Sequence, residues 1–232
     1  FCPSFVTIEG GALRKPDSLA DAEFPALSSP AIPAIEATFS VLVTGIGGTG
    51  VLTVGQVLGM AAFLEGRAFS VLDMSGLAQK NGSVMSHVRI AAAGESLHAA
   101  RIGAGRADLV LGCDVLTTVG DEALSRMAAG ATRAVINAAV VMPAAFTRNA
   151  DLEFPLGSME RQIIQACGEG AADFVDATQL ATRLLGDSIA TNLFVLGYAW
   201  QKGLIPLHEA TLLRVIELNG VAVAMNQNAF LW

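Results

Sequence analysis

The spacing of apolar and polar positions changes repeatedly along this chain, and the changes mark an alternation of strands and helices. From Phe39 the pattern predicts a strand over 39–44, an uncharged helix over 50–65 and a strand over 68–73. Val84–Ala92 alternates, with Val84, Ser86, Val88 and Ile90 on one side, so it reads as a strand with a mixed face. The following ESLHAARI (95–102) reads as a short companion strand. Ala107–Cys113 is apolar enough for a buried strand, and Asp114 is placed to cap a helix running to about Ala128. Further on, Thr132–Asn137 predicts a strand, Ser158–Cys167 a helix capped by Ser158, and Asp173–Asp176 a short strand. The last third is helical: Ile189, Leu193, Leu196 and Trp200 recur at helical spacing, as do Leu212, Val215, Ile216 and Leu218.

Strands alternating with helices predict an α/β fold, a three-layer α/β/α sandwich on a mainly parallel, Rossmann-like sheet. Residues 1–38 carry Pro3, Pro16, Pro25, Pro30 and Pro33 without helical or strand period, and are expected to form an extended linker. Residues 39–232 then form the domain. The chain begins with Phe, so a fragment of a longer polypeptide or a processed product is expected.

Composition narrows the function. The chain is 53% hydrophobic and 15% charged, with mean hydropathy +0.53, and no charged residue lies between Glu36 and Glu65. That stretch is long enough to span a bilayer. It also holds six glycines (Gly45, Gly47, Gly48, Gly50, Gly55 and Gly59), which argues instead for a buried strand, turn and helix and against a membrane protein. A net charge of −7 with no Lys/Arg cluster argues against a nucleic-acid partner. Three widely spaced cysteines, Cys2, Cys113 and Cys167, encode neither a disulfide framework nor a complete zinc site, and a cytoplasmic location is expected.

The candidate chemistry starts at Val41–Gly50, VLVTGIGGTG. Gly45, Gly47 and Gly50 fit G-x-G-x-x-G after a strand and before a helix, a layout that suits phosphate: Gly45 for the sharp turn, Gly47 for close approach of a ligand, Gly50 for tight helix packing. Gly48 and Thr49 complete the cradle. Asp73 lies 23 residues beyond Gly50, near where a dinucleotide fold places its ribose-binding acid, so an NAD(P)- or FAD-binding oxidoreductase stays open. A steric turn that binds nothing, in a non-catalytic assembly module, stays open too. Gln79, Lys80 and Ser83 sit in a loop after the second strand, and His87 and Arg89 share one face of the next strand, where they suit an anion, an interdomain carboxylate or a buried network. His98 and His208 stand alone, and Cys113 and Cys167 read as inert buried thiols.

Four stretches, GIGGTGVLTVGQVLGMAA, DMSGLAQKNGSVMSHVRI, RADLVLGCD and NLFVLGYAWQKGLIPL, together resemble the gamma-type domain of 2-oxoacid:ferredoxin oxidoreductases, most closely the indolepyruvate (arylpyruvate) branch. The resemblance runs from about residue 36 to the C-terminus, and AQKNGSVMSHVR is its most discriminating part. It departs at Asn81, where the family pattern prefers Gly. FCPSFVTIEGG resembles the end of an iron–sulfur segment in large fused members, so Cys2 would ligate a cluster only together with upstream cysteines. The resemblance implies oxidative decarboxylation of a 2-oxoacid to acyl-CoA, with electrons passed to ferredoxin. Thiamine diphosphate, Mg and [4Fe-4S] clusters would lie on other parts of the enzyme. The partners implied are its thiamine-binding and ferredoxin-like domains and ferredoxin as acceptor, in a homo-oligomer. No catalytic residue is expected in this domain itself, whose Gly45–Gly50 turn would contact coenzyme A. Asp73, Gln79, Lys80, Ser83, His87 and Arg89 would make ligand or interdomain contacts, and Asn192 with LFVLGYAW would form a helix packing at a subunit interface.

Overall fold

Residues 9–11, 27–76, 82–141 and 154–231 are described by a computed structural model. β1 (Thr38–Ile46), β4 (Leu109–Gly112), β5 (Arg133–Asn137) and β6 (Ala172–Val175) run parallel to one another. β2 (Phe69–Ser75) and β3 (Ser83–Ala91) extend the sheet beyond β1 in the order β2-β3-β1-β4-β5-β6, with β3 antiparallel to both its neighbours. The mainly parallel sheet expected from the sequence is therefore present, with an antiparallel insertion on one side.

Alternation along the central strands sorts the core into two layers. Val41 and Val43 of β1, Leu109 and Leu111 of β4 and Val135 of β5 face one layer, which holds α1 (Val51–Leu64), α5 (Ala177–Leu185), α6 (Thr191–Gln201), α7 (Glu209–Asn219) and α8 (Val223–Leu231). Leu42, Val110, Ala134 and Ile136 face the other, covered by α2 (Val115–Thr118), α3 (Asp121–Leu124) and α4 (Leu156–Cys167). This is the α/β/α sandwich. Close approach of α1 to the sheet depends on its glycines: a Cβ on Gly55 would run into the Ser86 hydroxyl, and one on Gly59 would lie 2.6 Å from Val71 Cγ2. No helix among the described residues is long and apolar enough to cross a membrane.

Several expectations need correction. ESLHAARI is not a strand. Both edges of β3 are already paired, and Arg89 Nη1 instead donates to the Ala99 carbonyl at 2.6 Å, holding that segment as a loop. The helix after Asp114 does not reach Ala128. Asp114 caps α2, with Oδ2 accepting from Thr117 N at 2.8 Å, and extended backbone at Gly120 (ψ 142°) then separates α2 from α3. Ser158 lies inside α4, which starts earlier because Pro155 occupies the N-cap, where its missing N–H costs nothing. α5 was hidden in the sequence by Asp176, which reads as the end of a strand yet caps the helix by accepting from Gln179 N at 2.9 Å. The helix carrying Asn192 and LFVLGYAW is buried inside this chain, where α6 packs on α5 and α8, and so is not a subunit surface.

Of the expected linker, residues 27–37 have no regular structure and lie along the outside of the domain. Gln201 Nε2 donates to the Ser28 carbonyl at 2.8 Å, which ties the segment to the end of α6.

Candidate functional site

The turn between β1 and α1 is built from glycines with three different jobs. Gly45 is buried, and a Cβ there would lie 2.5 Å from Val51 Cγ2 and 3.1 Å from Cys113 Cβ, so this position is reserved for glycine by packing. Gly47 donates its N–H to the Gly82 carbonyl at 2.8 Å, which seats the residues just before β3 against the turn. Gly48 and Gly50 have φ of 88° and 90°, the left-handed region that a side chain disfavours, and no described residue lies within 4 Å of a Cβ on Gly48. Thr49 between them folds its hydroxyl back to the Ile46 carbonyl at 2.8 Å.

Among the described residues nothing accepts from the N–H groups of Gly48, Gly50, Val51 or Leu52. These are the unpaired donors expected at the start of a helix, where the dipole also favours negative charge.

The turn opens onto a cleft of about 310 Å³. Its far wall comes from the C-terminal helices, where Asn192 at the start of α6, Asn219 at the end of α7 and Asn226 in α8 supply carboxamides. Ile189, Leu193, Val221 and Met225 supply apolar surface between them. Ala222, just before α8, has φ 42°, and strained backbone of this kind collects at sites where position matters more than local comfort. No charged residue is among those described as lining the cleft. Asn192 is only 4% exposed and its Nδ2 donates to the Thr49 carbonyl at 2.8 Å, bridging 143 residues. Sequence reading singled out Asn192 for another role, and it missed Asn219 and Asn226, because lone asparagines in helices carry no spacing signal, and Ala222, whose left-handed backbone no residue type announces.

The other predicted residues divide between the two ends of the sheet. Ser83 pairs in register with Ile46, beside the turn, and is exposed. Gln79, Lys80 and Asn81 lie outside the described residues, as does Cys2; the segment 77–81 is bounded by Gly76 and by Gly82, the residue that contacts Gly47. His87 and Arg89 pair with Leu42 and Ser40, four and six residues down β1 from Ile46, so they stand well away from the turn.

There they form a network with the loop after β3. His87 is fully buried, its Nδ1 accepts from Ile102 N at 3.3 Å, and its Nε2 has no partner among the described residues. Burial, then the nearby Arg126 and Arg101 guanidiniums, hold its pKa below the usual histidine value. Arg126 and Arg101 are in turn bound to Glu122, each at 2.7 Å.

Asp73 is exposed on β2, and β3 lies between β2 and β1. In a dinucleotide-binding fold the acid stands on the strand beside the glycine turn. The antiparallel insertion takes Asp73 out of that position, which removes the geometric basis of the nicotinamide or flavin reading.

Burial pushes the Cys113 thiol up to about 12, with Asp114 adding to the effect, and burial also raises that of Cys167. Neither is therefore a nucleophile at neutral pH. Among the described residues no cluster of three or more His, Cys, Asp or Glu could hold a metal ion.

Fold and turn together define an α/β/α domain whose glycine-rich βα unit faces a cleft walled by its own C-terminal helices. The family model "Pyruvate ferredoxin/flavodoxin oxidoreductase" matches residues 40–231, and the chain belongs to that family as a component of an oxidoreductase. Similar curated proteins are the indolepyruvate oxidoreductase subunits IorB of Thermococcus kodakarensis and Pyrococcus horikoshii. Each is 27% identical over 194 residues, covering 83% of this chain and 92% of the relative.

Among solved structures, the 2-oxoglutarate:ferredoxin oxidoreductase of Magnetococcus marinus, with 2-oxoglutarate, coenzyme A and succinyl-CoA bound, matches with TM-score 0.61 and 19% identity. The match covers 84% of this chain and 30% of that one, so this chain spans under a third of that protein. Pyruvate oxidoreductase subunit PORC of Thermotoga maritima matches with TM-score 0.57 and 18% identity over 84% of this chain and 94% of that one. At these identities the structural matches speak for the fold.

Proposed function

We propose that this chain is the gamma-type component of an indolepyruvate or related 2-oxoacid:ferredoxin oxidoreductase. The enzyme would oxidatively decarboxylate a 2-oxoacid to acyl-CoA and pass the electrons to ferredoxin. Support for the substrate branch comes from the two IorB relatives, nearly all of whose length the chain matches. Thiamine diphosphate with Mg and the [4Fe-4S] clusters belong to partner domains in this reading, and Cys2 joins a cluster only with cysteines from elsewhere. The domain's own contribution is a contact to coenzyme A.

The observation that carries this contact is the pair of N–H groups at Gly48 and Gly50, without acceptors among the described residues, in the lining of a cleft that carries three carboxamides between apolar side chains and no charged residue among those described. A chain of amides and methylenes fits such a lining, so the pantetheine arm of coenzyme A suits the cleft better than its phosphates do. Those would need a cation, and Lys80, in the segment leading to Gly82, is the candidate. Ser83 beside the turn and Gln79 complete the proposed ligand contacts. Arg89 and His87, at the other end of the sheet, serve the β3 loop or a neighbouring domain.

Calorimetric titration of the full-length protein with coenzyme A tests this contact, and indolepyruvate-dependent reduction of ferredoxin tests the activity. Micromolar binding of coenzyme A, weakened in a Lys80→Ala variant, is expected. Absence of binding would remove the contact, and loss of indolepyruvate activity in favour of another 2-oxoacid would change the branch.

A further inference from the structure

We infer that Asn192 is a positioning residue for the glycine turn, and that through it the C-terminal helices set the shape in which the turn meets its ligand. The inference takes the coenzyme A contact proposed above as its setting, but the geometry behind it is independent.

Two left-handed glycines separated by one threonine form a pliable piece of backbone, because glycine populates positive and negative φ about equally. Among the described residues nothing lies within 4 Å of where a Cβ on Gly48 would sit, and the Thr49 hydroxyl bonds locally, to Ile46. Among the described residues, two long-range hydrogen bonds hold the turn. Gly47 is fixed to Gly82 on the β3 side, and the Thr49 carbonyl is fixed to Asn192 Nδ2 on the α6 side.

Asn192 also lies directly beneath the second left-handed glycine, since a Cβ on Gly50 would be 3.6 Å from the same Nδ2. The amide therefore holds the carbonyl of Thr49 inward, and with that peptide oriented, the N–H of Gly50 is directed away from the core. Peptide-plane rotation at this point would reorient that donor.

Asn192 is itself held rigidly. It is buried at the first turn of α6, just after a 3₁₀ turn over Ser188–Ala190 whose first residue accepts from the Thr191 hydroxyl at 2.6 Å. Further along α6, Gly197 lies so close to the carbonyl of Phe230 in α8 that no side chain fits between them. α6 and α8 thus form one block, and Asn192 is where that block touches the turn. Asn226 of α8 lines the same cleft, together with Ala222 just before it and Asn219 at the end of α7.

The test uses Asn192→Asp, which keeps the shape but cannot donate to Thr49, beside Asn192→Ala. The full-length protein is titrated with coenzyme A, and hydrogen exchange is followed by mass spectrometry on a peptide spanning residues 46–54. Circular dichroism and melting verify that each variant is folded. The expected result is coenzyme A binding about tenfold weaker, the equivalent of one lost hydrogen bond, together with several-fold faster exchange in that peptide alone.

Unchanged affinity and unchanged exchange in folded variants would overturn the inference while leaving the coenzyme A contact standing. If the unmodified protein does not bind coenzyme A, that contact fails, and exchange decides the positioning role by itself: faster exchange supports it and unchanged exchange overturns it. Should Asn192→Ala fail to fold, the isosteric Asp variant carries both readouts.

Discussion

The carboxylate of Glu65 caps a helix that begins 144 residues later in the chain: its Oε1 accepts from the backbone N–H of His208 at 2.8 Å and lies 3.2 Å from His208 Nδ1. His208 is the N-cap residue of α7 and its own side chain makes no cap, so the acid at the end of α1 supplies what local sequence does not. It also brings negative charge to the positive end of the α7 dipole.

Replacing Glu65 by Ala is expected to lower stability by about 1 kcal/mol, the usual worth of a cap, and Glu65→Gln by less, because the amide oxygen still accepts. Urea denaturation with a two-state fit measures both. Equal stability of all three proteins would mean that water replaces the carboxylate at no cost.

The glycines of the turn should separate cleanly by mutation. Gly45→Ala adds a methyl where Val51 and Cys113 leave no space, so an overpacking cost of about 1–3 kcal/mol is expected. Gly48→Ala meets no described residue, and its cost comes from φ 88°, on the order of 1 kcal/mol. In the coenzyme A reading, the order reverses for binding: Gly48→Ala weakens affinity more than Gly45→Ala does. Melting curves and titrations of the two variants read both orders, and a parallel order would mean that the turn serves packing alone.

Much of this was legible from the chain because local signals and tertiary demands agree. The run of apolar residues in β1 is buried on both faces, so it shows no alternation, and glycine spacing marks where it ends. Signals fail where the deciding partner is remote. ESLHAARI alternates like a strand, yet both neighbours of β3 are already taken, and Arg89 claims its carbonyl instead. The position of Asp73 fits a ribose acid until an antiparallel strand is inserted between β2 and β1, which spacing along the chain cannot reveal. Asn192 was invisible as part of the cleft for the same reason, its partner Thr49 being 143 residues away.

His87 should impose a pH dependence on stability. Its folded pKa is below the usual 6.5, so on acidification the unfolded chain takes up the proton first. The contribution of the neutral, buried imidazole is therefore complete above about pH 6.5 and declines as pH falls toward the folded pKa. The charged groups facing it are Arg126, Arg101 and Glu122, the first two opposing protonation and the third favouring it. Asp108, whose pKa is raised mainly by burial, contributes with the opposite sign, so the wild-type curve alone does not isolate His87. The difference between the wild type and His87→Gln does. That difference is expected to shrink from pH 7 to pH 5 in denaturation experiments, and a constant difference would show that His87 does not titrate between those limits.

The separation of Asp73 from the glycine turn makes the last expectation concrete. A ribose needs its acid on the strand next to the phosphate-binding turn, and here one strand, β3, stands between, at about 4.8 Å per strand spacing. Titration with NADH or NADPH should give no heat, and Asp73→Ala should leave coenzyme A affinity unchanged. Were NADH to bind with micromolar affinity and Asp73→Ala to abolish it, the separation imposed by β3 would not exclude the ribose contact, and the nicotinamide reading of the turn would return.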